Sequence, residues 1–339
     1  MAVIRDVIPV FELYQPTTVD DALALLERHT TDAWVLAGGL DSMDWLKDRL
    51  KKPKVVVDLT QVKPLNGIKE AAGGGLEIGA MTTLTEVVRH PIVREKYSLL
   101  MQAAELVASP QIRNQGTIGG NVSQDTRCWY YRGGWTCYRA GGNICYADTP
   151  TAINREHAIF DADRCVAVNP SDTAPALVAL DARMVIRGPR GERVINAEDS
   201  WIGPGSDITR MNVLAPNELL VAVRIPETMA GADFYFEKVR DRQVWDFPLV
   251  NVASAIKPDK GNGNIGEMRL VVNAVAATPK RLKNVEAAVV GKPRNEETAK
   301  MAGDLAVQGA QTLRFNGYKV PLMRNLVKRA IRGVPAATT

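Results

Sequence analysis

All four cysteines of this 339-residue chain lie in one segment, from residue 128 to residue 165, with the spacing C-x8-C-x7-C-x19-C. The same segment is rich in aromatic residues, glycines and arginines. Patterns typical of helices and strands stop before it and resume after it. The sequence therefore predicts a fold of regular elements that is interrupted by an irregular insertion, and this insertion holds every thiol of the protein.

The composition is that of an ordinary globular protein and excludes several functional classes. Hydrophobic residues make up 46% of the chain and charged residues 24%, and a net charge of +4 is too small to indicate nucleic-acid binding. No apolar run approaches the roughly 20 residues of a membrane span. The N-terminal residues do not resemble a signal peptide. We expect a cytoplasmic protein without direct membrane insertion, with export alongside a signal-bearing partner as the alternative.

Periodicity predicts three units. Residues 1–60 alternate strand, helix, strand, helix and strand, with Thr18 as the N-cap of the first helix. Residues 61–228 form a second unit in which Pro91 ends a helix, "PQIRNQGTIGGNVSQDT" is a loop, and residues 124–168 are the insertion. Residues 229–339 contain three strands of a meander and then three helices.

Two loops carry paired glycines. "LAGGLD" (residues 36–41) follows a predicted strand, and "TIGGN" (residues 117–121) ends a polar stretch. Successive N–H groups in such loops can form a nest for an anion, and two loops could hold the two phosphates of one dinucleotide. Neither loop matches G-x-G-x-x-G, so the sequence does not support a Rossmann site. Each loop taken singly is also compatible with a plain tight turn.

The cysteine spacing leaves several interpretations open. Disulfides require an oxidising compartment, which nothing in the sequence indicates. Structural zinc usually uses C-x2–4-C pairs, which this chain lacks. Unrelated buried thiols would not be expected to cluster in one segment. A [4Fe–4S] cluster takes four thiolates from irregular loops, and the residues alone favour it slightly over zinc.

Several stretches together resemble a known family. "LAGGLD", "RNQGTIGGNV", "NPSDTAPALVALDA" and "NELLVAVRIP" are similar in order and spacing to the FAD-binding medium subunit of molybdenum hydroxylases, the xanthine dehydrogenase and carbon monoxide dehydrogenase family. The resemblance implies an α+β fold: a two-lobed FAD-binding domain of the vanillyl-alcohol-oxidase type, followed by an antiparallel sheet with a helix bundle.

The resemblance also implies which residues contact FAD. The pyrophosphate would meet backbone amides in both glycine loops, where the candidate residues are Leu36, Ala37, Gly38, Gly39, Leu40, Asp41, Thr117, Ile118, Gly119, Gly120 and Asn121. Leu40 departs from the family, which usually has a small polar residue there. Asp172 would accept hydrogen bonds from FAD hydroxyls, Leu220 would pack on the flavin, and Lys238 would lie close to it. Without the resemblance, Asp172 reads as a helix N-cap and Lys238 as a solvated strand charge.

For the insertion, the resemblance points to a subgroup with an additional [4Fe–4S] cluster. "DTRCWYYR", "GGNICYA" and "HAIF" look like the aldehyde oxidoreductase branch of that subgroup. The implied ligands are Cys128, Cys137, Cys145 and Cys165, with His157 in reserve, although a surface or capping role is the simpler reading of that histidine. Arg127, Arg132 and Arg139 could offset the negative charge of the cluster. Backbone amides in the segment could point at its sulfurs, and the candidates are Gly133, Gly134, Gly141 and Gly142.

The function implied is that of an electron-transfer flavoprotein subunit without a catalytic side chain. A molybdopterin-binding large subunit would oxidise an aldehyde or an aromatic heterocycle, a [2Fe–2S] small subunit would pass electrons to FAD, and an external acceptor would take them. A zinc-binding scaffold and a stand-alone FAD oxidoreductase are the rival hypotheses. The sequence identifies neither the substrate nor the acceptor.

Overall fold

The structure is a computed structural model that describes residues 7–333. Expectations for the first six and last six residues fall outside the described part of the chain. Three sheets form in succession along the chain, and helices pack against each of them. The mixed helix and sheet class predicted from the sequence is confirmed. No helix in the described range 7–333 has the length and apolar character needed to cross a membrane.

The first sheet has three parallel strands. Its elements are β1 (Glu12–Tyr14), α1 (Val19–His29), β2 (Ala33–Leu36), α2 (Ser42–Lys47) and β3 (Val55–Asp58). The strand order is β1-β3-β2, and helical connections make the parallel pairing possible. Thr18 caps α1 as predicted, because its hydroxyl accepts a hydrogen bond from the Asp21 N–H.

The second sheet has five strands, and every neighbouring pair in it is antiparallel. Its strands are β4 (Ile68–Glu70), β5 (Leu76–Gly79), β6 (Arg183–Gly188), β7 (Gly191–Asn196) and β8 (Leu219–Ile225), in the order β4-β5-β8-β6-β7. Between β5 and β6 lie the helices α3 (Leu84–Arg89), α4 (Pro91–Lys96), α5 (Ser98–Glu105), α6 (Pro110–Arg113), α7 (Ile118–Ser123), α8 (Trp129–Arg132) and α9 (Thr173–Ala179).

The third sheet is the predicted meander. Its strands are β9 (Asp233–Val239), β10 (Val250–Pro258), β11 (Ile265–Asn273) and β12 (Lys280–Arg281), in the order β12-β11-β10-β9. The helices α10 (Lys283–Val289), α11 (Glu296–Ala306) and α12 (Lys319–Arg332) follow it. Apolar residues of β10, β11, α11 and α12 share one core, because one face of each element is apolar and must be buried.

The sheets pack against one another through shared cores. Val19 and Val55 of the first unit are buried in one cluster with Val185 and Leu219 of the second. A larger cluster joins the second unit to residues of β9, β10 and β11. These contacts fix the first glycine loop, which follows β2, relative to the second, which lies at the start of α7.

One local prediction was confirmed and another was wrong. The helix α3 ends just before Pro91, as predicted, and Pro91 then occupies the first turn of α4, where its missing N–H costs nothing. Residues predicted as one loop include α6 and α7, capped by the hydroxyls of Ser109 and Thr117. The capping signals are present in the sequence, but the glycines inside α7 hide its helical character.

One segment of the C-terminal unit, residues 316–319, contacts the backbone of the insertion. The Asn316 side-chain amide donates to the carbonyls of His157 and Ala158, at 3.1 and 3.0 Å. The Lys319 ammonium donates to the carbonyls of Glu156 and Ala274, at 2.8 and 2.7 Å. No strand lies within residues 124–168, and this segment of the C-terminal unit supplies hydrogen bonds to several backbone carbonyls of the insertion.

Candidate functional site

A cavity of about 520 Å³ lies between the first and second units, and both glycine loops line it. It reaches from Trp34 and Trp45 near the first loop to Trp245 and Phe247 in the turn between β9 and β10. Mixed polar and aromatic walls of this extent suit a large, elongated ligand with both charged and flat parts.

The first glycine loop offers free backbone donors. Within residues 7–333, no hydrogen bond uses the backbone amides of Gly38, Gly39 or Leu40. Gly39 has a φ of 80°, which an L-residue adopts only with strain. A Cβ on Gly38 would lie 2.2 Å from the Gln115 carbonyl oxygen. The loop is thus pressed against the segment before the second loop, with amides available for an anion.

The second glycine loop is the first turn of α7, and its amides already have partners. The Gly119 N–H donates to the Ala80 carbonyl at 2.9 Å, and the Gly120 N–H donates to the Thr117 hydroxyl at 3.0 Å. The two loops are therefore not equivalent as amide donors, which differs from the expectation of two matching phosphate loops. A pair of glycines in the sequence does not reveal whether their N–H groups are free, because that depends on which acceptors lie beside them in the fold.

Asn121 replaces these amides as the available donor of the second loop. Its Oδ1 accepts hydrogen bonds from the hydroxyls of Ser171 and Thr173, both at 2.6 Å. This pairing leaves Nδ2 without a partner in the described chain, in a side chain that lines the cavity. The hydroxyls thereby fix the amide so that its donor end is available to a ligand.

Asp172 lines the cavity and forms a buried ion pair with Lys238. The Lys238 Nζ lies 2.6 Å from Oδ2 of Asp172, and Nδ2 of Asn251 lies 3.1 Å from its Oδ1. Burial raises the pKa of Asp172, while the Lys238 ammonium and the Asn251 amide act against that rise. The simple readings were wrong for both residues. Lys238 is buried, and Ser171, not Asp172, supplies the side-chain oxygen that accepts from the Ala174 N–H at the start of α9.

Most of the predicted FAD contacts line this cavity, including Leu220. Leu36, Ile118 and Lys238 do not: Ile118 is buried in the core of the second unit, and Lys238 lies behind Asp172. The sequence did not place Arg139, Trp245 or Phe247 at this cavity. No local signal marks them, because they come from the insertion and from a turn far along the chain.

The four cysteines line one small cavity of about 10 Å³ inside the insertion. All four are free thiols, so no disulfide joins them. In the range 7–333, no three His, Cys, Asp or Glu side chains lie close enough together to hold a metal ion. The thiols therefore converge on one point without forming a ready site for a single ion.

Burial in this cavity favours the protonated form of two of the thiols, those of Cys128 and Cys165. Burial raises the pKa of Cys128 to about 12 and raises that of Cys165 as well. The backbone amides of Tyr130 and Tyr131 at the start of α8 act against this rise at Cys128, and that of Ala167 acts against it at Cys165. The chain thus supplies amide donors that favour thiolates once a positive centre displaces the protons.

The glycines expected to point their amides at sulfur do not do so. Gly133 and Gly134 donate to the carbonyls of Trp129 and Tyr131, and Gly141 and Gly142 donate to those of Tyr138 and Cys137. These glycines serve tight turns, and Gly134 and Gly141 have positive φ.

His157 is not a surface residue. It is buried, and its Nε2 lies 3.3 Å from the Cys128 sulfur. Burial and the charge of Lys319 lower the pKa of His157 to about 4, so the ring is neutral near pH 7.

The arginines of the insertion have specific partners. Arg127 and Arg132 both contact Oδ1 of Asp41, at 2.6 and 2.7 Å, and Arg132 stacks 3.6 Å from the centre of the Trp45 ring. Because Asp41 ends the first glycine loop, these contacts join the insertion to that loop. Only Arg139 of the three lines the thiol cavity, so the expectation that all three offset charge there was too broad.

Two lobes around an elongated cavity, with an anion-binding loop and a buried carboxylate, define a dinucleotide-binding protein that is not of the Rossmann class. Comparison with known families agrees with this class. Residues 9–228 match the FAD binding domain in molybdopterin dehydrogenase, and residues 234–334 match the CO dehydrogenase flavoprotein C-terminal domain.

Individual proteins match over most of the chain. The aldehyde oxidoreductase FAD-binding subunit PaoB of Escherichia coli (strain K12) is 34% identical over 278 residues, covering 81% of this chain and 84% of that one. The carbon monoxide dehydrogenase medium chain of Hydrogenophaga pseudoflava is 29% identical over 328 residues, covering 95% and 96%. In the solved carbon monoxide dehydrogenase from H. pseudoflava, a chain superposes with a TM-score of 0.75 at 28% identity, covering 96% of this chain and 98% of that one.

The chain belongs to the family of FAD-binding medium subunits of molybdenum hydroxylases, of the CO dehydrogenase and xanthine dehydrogenase type. Three predictions are confirmed at this level: the family, FAD as a cofactor, and the role as an oxidoreductase subunit that acts in a complex. The additional iron–sulfur cluster and the identities of the partners are proposals.

Proposed function

We propose that this chain transfers electrons through FAD within a molybdenum hydroxylase complex. Its partners are a molybdopterin-binding large subunit and a [2Fe–2S] small subunit, and an external acceptor takes the electrons. The complex oxidises an aldehyde or an aromatic heterocycle, and it acts in the cytoplasm unless a signal-bearing partner exports it. The observation that carries the proposal is the cavity of about 520 Å³ lined by both glycine loops in a chain of this family.

The residues that hold FAD follow from which donors and acceptors are available. We assign the phosphates to the free amides of Gly38, Gly39 and Leu40 and to Nδ2 of Asn121. Asp172 accepts hydrogen bonds from hydroxyls of the cofactor, since each carboxylate oxygen has a second lone pair beyond its bond to Lys238 or Asn251.

The remaining assigned residues act by packing and by positioning. Leu220 lines the cavity and packs on the ring system, while Leu36 and Ile118 support the two loops from behind. Lys238 positions Asp172. When bound, FAD supplies two-electron redox chemistry, and the chain contributes binding, orientation and electrostatics.

Co-expression tests this function. The chain is purified alone and together with candidate molybdopterin-binding and [2Fe–2S] subunits, each preparation is mixed anaerobically with aldehydes and with aromatic heterocycles, and bleaching of the flavin band is recorded. We expect bleaching only in the three-subunit complex, because no side chain of this subunit is assigned to substrate activation. Bleaching by the isolated chain would support the rival stand-alone oxidoreductase, and a three-subunit complex whose flavin stays oxidised would overturn the proposal.

We further propose that Cys128, Cys137, Cys145 and Cys165 hold a [4Fe–4S] cluster. The support is that all four cysteines of a 38-residue span line one cavity, and that the backbone amides of Tyr130, Tyr131 and Ala167 act to lower the pKa of two of these thiols. A space of about 10 Å³ requires the thiols to move apart when the cluster binds. The irregular insertion around them permits such movement more readily than a sheet would.

Replacement of one thiol tests the cluster. Cys137→Ser should lower the iron content per chain severalfold and leave FAD content nearly unchanged, while Thr136→Ser, a neighbouring change without a thiol, should leave both as in the wild type. Iron and sulfide are measured after anaerobic purification. Zinc in place of iron in the wild type, or iron unaffected by Cys137→Ser, would contradict the proposal. Joint loss of FAD and iron would assign the insertion a structural role first.

A further inference from the structure

Arg139 lies between the two cavities. Among the residues described, it alone lines both the larger cavity beside the glycine loops and the small cavity among the thiols. The side chain is only 4% exposed. A buried cation at this position is part of the surroundings of both proposed redox centres.

The guanidinium of Arg139 is held in place from the side of the larger cavity. Its Nη2 lies 2.5 Å from Oδ1 of Asp125, and its Nη1 donates to the Ile208 carbonyl at 2.8 Å. The Nε atom is buried and has no hydrogen-bond partner in the described chain. Leaving such a donor unsatisfied costs free energy, so an acceptor supplied from one of the two cavities would stabilise the site.

The charge of this side chain is permanent. An arginine guanidinium stays protonated in proteins, and the Asp125 carboxylate beside it stabilises the charge of Arg139 further. The ring of Tyr131 lies 5.3 Å from the guanidinium carbon, which further shields the charge from water. Arg139 therefore presents one fixed positive charge to the thiol cavity in every redox state.

We propose that Arg139 is a positioning residue that raises the reduction potential of the cluster and, because it also lines the larger cavity, that of FAD. The inference rests on the proposed cluster at the four cysteines. Reduction adds one electron to the cluster without forming or breaking a bond, and the added charge is stabilised by a cation in a poorly solvated site. Because the same guanidinium lines the larger cavity, its charge also stabilises an electron added to a flavin bound there.

Charge substitutions in the whole complex test the inference. Midpoint potentials of the [4Fe–4S] centre and of FAD are measured by dithionite titration, followed by EPR and by visible absorbance. Arg139→Gln removes the cation and leaves Asp125 uncompensated, so the equilibrium constant for reduction of the cluster should fall about tenfold, or about 59 mV for one electron. Arg139→Lys keeps the charge, so the reduction potential of the cluster in this variant should lie close to the wild-type value.

Arg164 provides the matched control. It adjoins Cys165 but its side chain is 59% exposed and lines neither cavity. Arg164→Gln removes the same charge from the same segment. Solvent screening should nevertheless keep the equilibrium constant for reduction of the cluster within about threefold of its wild-type value. An equal shift for Arg139→Gln and Arg164→Gln would overturn the specific role of Arg139.

The outcomes separate this inference from the cluster proposal. Wild-type complex without iron at the insertion would overturn the cluster and the inference together. Iron present with an unchanged potential in Arg139→Gln would overturn the inference alone. If Arg139→Gln does not assemble, Asp125→Asn tests the same field with opposite sign. Asp125→Asn should raise the reduction potential of the cluster, and an unchanged potential in this variant would refute the role of Arg139.

Discussion

Replacement of Gly38 by alanine probes the contact that holds the first glycine loop against the segment before the second. An ideal Cβ at this position would lie 2.2 Å from the Gln115 carbonyl oxygen, 3.0 Å from its carbonyl carbon and 3.1 Å from the Gly116 Cα. All three atoms belong to the backbone, so no flexible side chain can turn away. The added methyl group must therefore push the two segments apart.

The magnitude follows from that overlap. A tolerable contact requires the backbones to separate by about 1 Å, and overpacking of this kind typically costs about 1–3 kcal/mol of folding stability. A shift of this size also moves the free amides of Gly38, Gly39 and Leu40 away from a ligand held by the other lobe. Loss of about 1.4 kcal/mol of binding free energy corresponds to a tenfold weaker affinity. We expect FAD affinity to fall tenfold or more while the chain still folds.

Fluorescence titration of apoprotein with FAD measures the affinity, and urea unfolding measures the stability. Gly317→Ala is the matched control, because a Cβ there meets no atom within 4 Å and its φ is not in the left-handed region. The control should bind FAD as the wild type does. Unchanged FAD affinity in Gly38→Ala would refute the reasoning that close approach of the two segments positions the phosphate-binding amides.

Three further predictions concern buried charges. Asp172→Asn leaves the Lys238 ammonium without its carboxylate and should reduce the free energy of unfolding, measured in urea, by about 3–5 kcal/mol. The double variant Asp172→Asn with Lys238→Met should recover part of this loss. Asp41→Asn weakens two contacts with arginines of the insertion and should cost about 1.5–3 kcal/mol, with faster proteolysis of the insertion as a second readout and unaltered proteolysis as the contrary result. Burial lowers the pKa of Lys319 to about 7, so the unfolded chain binds more protons than the folded chain between pH 7 and about 10.4. The stability of the wild type should therefore rise relative to Lys319→Met as pH increases through this window, and parallel pH profiles would show that Lys319 does not titrate there.

The insertion connects parts of the protein that the sequence separates widely. Besides its contacts with Asp41, it meets the turn between β9 and β10, where Arg155 forms a two-point ion pair with Asp241 and Arg127 stacks 4.5 Å from the centre of the Phe247 ring. This turn lines one end of the larger cavity. Any rearrangement of the insertion on cluster binding would therefore reach both ends of the flavin site.

The sequence by itself determined the regular elements and the family. Helices such as α1 carry their own signal, because Thr18 caps the first turn and apolar residues recur at helical spacing. The strands of the meander and the two glycine loops are visible for the same reason: backbone preferences and one-sided burial act over a few residues. The clustering of cysteines was equally plain in the sequence.

Only the tertiary structure decided which groups are free to act. The amide of Gly119 is engaged because the Ala80 carbonyl lies beside it, whereas the amides of Gly38 and Gly39 have no acceptor within residues 7–333. Lys238 is buried because Asp172, from a distant helix terminus, compensates its charge. Arg139 lies between two cavities only because the insertion folds back toward the lobes. Each of these facts depends on contacts between remote segments, and local sequence carries no record of such contacts since burial and hydrogen-bond satisfaction are properties of the packed chain.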